Sequence, residues 1–87
     1  MNLYQVTRTK GGGYDSYDSF VVCCENEDIA RRTNPGSGKV DWWKDEKQRG
    51  PSAWMEQEQL GELMVEFLGT ASPNTSEGVI LASFNAG

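Results

Sequence analysis

The chain contains no histidine. That absence removes the commonest general base, the usual zinc ligand and the one side chain that titrates near neutral pH. Serines are present, but none lies in a G-x-S-x-G setting, and no other group stands in for the missing imidazole. Neither G-x-G-x-x-G nor G-x-x-x-x-G-K-[ST] occurs, and the run Gly11-Gly12-Gly13 is followed by neither a lysine nor a helix start. The calcium-loop pattern D-x-[DN]-x-[DN]-G is missing as well. Cysteine is scarce and badly spaced for a staple: Cys23 and Cys24 are neighbours, so on a strand they point to opposite faces and close no loop. The expectation is one thiol in the core, one on the outer face, and a reducing, cytoplasmic compartment. No apolar run approaches 18 residues, and Met1-Asn2 leads directly into an amphipathic strand, so neither a membrane span nor a signal peptide is expected. With these groups missing, the chain is read as a non-enzyme without metal or cofactor.

What is there is a short acidic chain. Eighty-seven residues make one domain, which buries roughly 60–65% of its unfolded surface and has an ordinary stability of about 4–13 kcal/mol. The net charge of −5 is unevenly placed. Residues 11–30 carry five acidic groups and no basic one, and residues 51–87 repeat that imbalance, whereas residues 31–50 carry six basic groups and three acidic. Such a surface repels phosphate backbones and anionic lipids and favours a basic partner. Direct nucleic-acid binding and membrane binding are both disfavoured.

The pattern along the chain alternates strand and turn. Leu3–Thr9 reads as a first strand, rich in β-branched and aromatic residues. The three glycines end it, the tandem Tyr14-Asp15-Ser16-Tyr17-Asp18-Ser19 reads as turn chemistry, and Phe20–Cys24 is the strongest strand signal. Glu25–Arg32 reads as a short helix, with Asn26 as its N-cap, Glu27 and Asp28 in its first turn and Arg31 and Arg32 in its last. Pro35–Gly38 is a turn. Lys39–Ser52 loses period, with a helical turn expected at Trp43–Gln48. Glu56–Gly69 fits two templates: Leu60, Leu63, Met64, Phe67 and Leu68 keep helical spacing, while Leu63, Val65 and Phe67 alternate as in a strand. Gly61 weighs against the helix, so a strand over Leu63–Thr70 is expected, with Val79–Phe84 as the fourth strand beside it. The fold class is therefore α+β: an antiparallel sheet of about four strands in order β1-β2-α-β3-β4, with one short helix on one face.

Three groups of side chains are candidates for contact with a partner. Asp15, Asp18, Glu25, Glu27 and Asp28 form one acidic cluster. Turn aspartates and an acidic helix start explain each of them without any partner; presented together, they would meet cationic side chains, with Tyr14 and Tyr17 as flat anchors. Glu56, Glu58, Glu62 and Glu66 form a second cluster. It is either a solvated face or, aligned with the first, a set of spaced carboxylates that stand in for the phosphates of a nucleic-acid strand. Trp42 and Trp43 are adjacent, so an extended segment buries only one of them; core filling is the default for that one, and the other is a candidate interface anchor.

The combination YDSYDSFVVCCENEDIARR near the front and FLGTASPNTSEGVILASFNAG at the end resembles a family of small uncharacterised phage and prophage proteins. In that family a Y-D-x-Y-D-S-F-V-V strand leads into an acidic A-R-R helix, and G-V-[IV]-L-A-S-F-N-A-G closes the chain. The likeness covers both ends, roughly half of the length, and leaves out the central KVDWWKDEKQRGPSAWMEQEQ. It implies no catalytic residues. Small acidic phage proteins of this kind resemble anti-defence factors, including anti-CRISPR proteins, some of which mimic DNA. The resemblance implies an inhibitor in the bacterial host cytoplasm that blocks a basic nucleic-acid-binding groove of a host protein, a CRISPR surveillance complex being the expected partner. The alternative expectation is a phage accessory or assembly protein that forms a homo-oligomer by pairing exposed sheet edges or by burying a tryptophan.

Overall fold

Alternation along β1 (Asn2–Arg8) sets the two faces of the sheet: Tyr4 and Val6 are buried, and the residues between them are only partly covered. The structure, a computed structural model, describes residues 1–9, 16–44 and 57–85. β2 (Ser16–Cys24) pairs antiparallel with β1, Val22 opposite Tyr4 and Phe20 opposite Val6. β3 (Leu63–Thr70) pairs antiparallel with the other side of β1, Val65 opposite Val6 and Leu63 opposite Arg8. β4 (Gly78–Asn85) pairs antiparallel with the free side of β2, bringing Val79 beside Val22 and Ala82 beside Phe20. The result is a four-stranded antiparallel sheet carrying a few helical turns.

The strand order is β3-β1-β2-β4, which corrects the expected order: β3 and β4 do not pair with each other but form the two opposite edges. Thr70 faces Asn2 and Gly78 faces Cys23, so residues 71–77 pass around one end of the sheet, across three strand spacings of roughly 14 Å. Seven residues reach that far without strain. Placing β4 on β2 adds Val79 and Ala82 to the buried face, whereas pairing it with β3 would leave the β2 side of the core open.

α1 (Glu27–Arg31) is shorter than expected and begins where the sequence places its cap. Asn26 adopts an extended backbone, and its side-chain oxygen accepts from the Ile29 N–H at 2.9 Å. Ala30 is buried, and a helix of one turn persists only because it docks on the sheet. The core beneath it is Tyr4, Val6, Phe20, Val22, Cys24, Ala30, Trp42 and Leu63.

The sequence reading is corrected at three further points. Ser16–Ser19 belong to β2 rather than to a turn, because β4 extends far enough to pair with them, with a bulge at Asp18. The helical turn near the tryptophans is a 3-10 turn at Trp42–Lys44, and the expected continuation to Gln48 lies outside the described residues. Both cysteines are buried free thiols, which corrects the expectation of one on the outer face; Cys23 lies in the sheet between Leu3 and Gly78. The strand expected over Leu63–Thr70 is present, and the residues before it, Gln57–Glu62, form a 3-10 helix that accommodates Gly61. Among the described residues no helix is long and apolar enough to cross a membrane.

Candidate protein-binding surface

The register decides which carboxylates meet. Glu25, Glu27 and Asp28 follow directly from β2, at the end of the sheet where Asn2 faces Cys24. All three are exposed. Glu77 precedes β4, whose first residue pairs with Cys23, so it arrives at the same end. Its charge reaches Cys24: burial pushes that thiol's pKa up, and the negative charge of Glu77 adds to the shift.

The two arginines of this region are committed to structure. Arg32 donates from one terminal nitrogen to both oxygens of Asp41, at 2.8 and 2.7 Å, and reaches Asp28 with Nε and the other nitrogen at 3.1 Å. Hydrogen bonding to Asp41 holds the guanidinium above its already high ordinary pKa. Asp41 itself sits at φ +55° and also receives Lys44 at 3.6 Å. Arg31 spends one nitrogen on the Leu60 and Leu63 carbonyls, both at 2.8 Å, tying α1 to the start of β3. Glu25, Glu27 and Glu77 therefore have no counter-ion among the described residues. A cleft of about 320 Å³ opens beside them, lined by Cys24, Ile29, Arg32, Thr33, Val40 and Glu77 among others. It is flanked by the ribbon in which Thr33 bridges Val40 and Asn34 caps its own turn by accepting from the Gly36 and Ser37 N–H groups.

The other expected contact residues are placed differently. Asp18 is exposed at the bulge near the start of β2, and Glu62 lies just before β3 at that same far end, where Leu63 faces Arg8. Glu66 is exposed at mid-strand opposite Gln5, on the face away from α1. The described members of the two acidic clusters thus do not form one row. Asp28 is partly neutralised by Arg32. Tyr17 is half-buried against the core, and its ring and hydroxyl lie where a side chain at Gly36 would stand, so it is a packing residue more than a free anchor. Trp42 is 4% exposed and fills the core, which corrects its reading as a partner-facing residue. Trp43 is half-buried and makes an edge-on contact with Trp42, ring centroids 4.9 Å apart. Tyr14, Asp15 and Glu56 lie outside the described residues, and Glu58 is placed only as part of the 3-10 helix.

Sequence reasoning missed Glu77. Its place beside Glu25 and Glu27 depends on β4 pairing with β2, and no local signal in Ser72–Gly78 announces that. Among the described residues no cluster of His, Cys, Asp or Glu could hold a metal ion. The arrangement offers exposed negative charge beside a partly apolar cleft. No family model, no curated protein and no solved structure matches the chain.

Proposed function

We propose that this protein acts by stoichiometric contact, as a phage-encoded inhibitor whose acidic end binds the basic groove of a host defence complex, of the CRISPR surveillance kind. The observation that carries this reading is the set Glu25, Glu27 and Glu77: three carboxylates at one end of the sheet without counter-ions among the described residues, beside two arginines that bond to internal partners. Charge placed this way gains little for folding and is available to an external cation. The phage origin and the kind of target rest on the resemblance of the two chain ends.

In mechanism, the carboxylates occupy Arg and Lys side chains that otherwise neutralise phosphates, so the inhibitor and the nucleic acid exclude each other. The test is competition: purified surveillance complex is incubated with the chain, and target-DNA binding is then titrated. Loss of DNA binding at one chain per site supports the reading, and DNA binding that is unchanged at saturating chain removes it.

A further inference from the structure

The two edges of the sheet differ in a way that bears on self-association. From Gly78 to Asn85, β4 carries no charge and no proline, in a chain whose net charge is −5. Ile80 and Leu81 on this strand are 51% and 69% exposed, and Leu81 borders a shallow groove formed with Gln5, Val21 and Ser83 on the face away from α1. Among the described residues no strand pairs with the outer side of β4, so its outward N–H and C=O groups form an open ladder eight residues long. Edge strands are ordinarily guarded by charge, proline or a covering element. β3 also exposes Met64, Phe67 and Leu68, but it is guarded: Glu66 lies within it, and Arg31 occupies the carbonyls of Leu60 and Leu63 at its start.

We infer that β4 is a homodimer interface, pairing antiparallel with β4 of a second copy to give one eight-stranded sheet. The occupant is a second copy on grounds of charge and symmetry. Two chains of −5 repel wherever acidic surfaces meet, and β4 is a place where they can touch without opposing carboxylates. An antiparallel strand pair is two-fold symmetric, so one uncharged edge serves both partners. The bulge at Ile80 restricts regular pairing to the stretch beyond it, and a two-fold beside Ala82 sets Leu81 of each copy opposite Ser83 of the other. Because β3 is guarded, growth stops at two copies and no filament follows. This inference is independent of the acidic-end reading, whose carboxylates lie at the Cys24 end of the sheet.

The experiment is sedimentation equilibrium of the full chain over a wide concentration range, with hydrogen exchange on the same samples. Wild type is expected to reach twice the 9.7 kDa of the chain, with β4 amides gaining protection as concentration rises. Leu81→Lys and Ser83→Glu both alter exposed side chains and are expected to remain monomeric, with unchanged circular dichroism and without the concentration-dependent protection. Met64→Lys, an exposed change on β3, is expected to leave the dimer intact. A wild-type chain that stays monomeric throughout, a Leu81→Lys chain that still dimerises, or a dimer broken by Met64→Lys alone would each overturn the assignment.

Discussion

At the residue scale, Phe20 is the largest fully buried side chain among the described residues, 1% exposed between Val6 and Ala82. Phe20→Ala is expected to cost about 3–5 kcal/mol, a large share of the stability of a chain this size, read as a drop in urea midpoint at constant slope. Asp41 offers a second test. Its left-handed backbone suits Asp or Asn, so Asp41→Asn keeps the local shape while removing the charge that holds Arg32. The expected loss is about 1–3 kcal/mol, and Asp41→Ala should lose more because alanine resists that conformation. Cys24 supplies a pH dependence. Burial raises its folded-state pKa, so the folded protein binds the thiol proton more tightly than the unfolded chain does. The stability this contributes is complete below the ordinary thiol pKa and is lost as pH rises through the folded value. Denaturant titrations at increasing alkaline pH should show that decline, and Cys24→Ala should flatten it. In native protein at neutral pH both thiols should resist iodoacetamide, since both are buried.

At the scale of elements, the local signals in the sequence were sufficient wherever an element is decided by its own residues. Asn26 as cap, acidic residues in the first turn and Pro35 beyond the last fixed α1 to within two residues at its start, and Asn26→Ala is expected to cost about 1 kcal/mol. Gly61 and the alternation of Leu63, Val65 and Phe67 correctly favoured a strand over a helix. The failures are long-range. Ser16–Ser19 look like turn residues, and they become strand only because β4 lies alongside them. Trp42 and Trp43 carry equal local signal, and the docking of the 3-10 turn over the sheet decides which one is buried. The pairing of β4 with β2 could not be read from Val79–Phe84, whose apolar run fits either neighbour; what decides it is which side of the core needs covering.

For the whole molecule, the charge imbalance was legible from composition, and its geometry was not. Whether the two acidic clusters share a face was left open by the sequence, and the sheet splits the first of them: Asp18 lies with Glu62 at one end, Glu25 and Glu27 lie at the other, and Glu66 sits between on the face away from α1. The strand order then recruits Glu77 to the Glu25–Glu27 end, and the engagement of Arg31 and Arg32 leaves that end negative. Its binding should weaken steeply with salt, because exposed charges separated by more than about 8 Å are screened at physiological ionic strength. The most direct measurement is titration calorimetry of the full chain against a purified CRISPR surveillance complex, comparing wild type with the triple variant Glu25→Lys, Glu27→Lys, Glu77→Lys and with Glu66→Lys on the face away from α1. Saturable one-to-one binding that the triple variant loses by about a hundredfold or more, while Glu66→Lys stays near wild type, is the predicted result. Equal affinities for wild type and the triple variant would contradict the account.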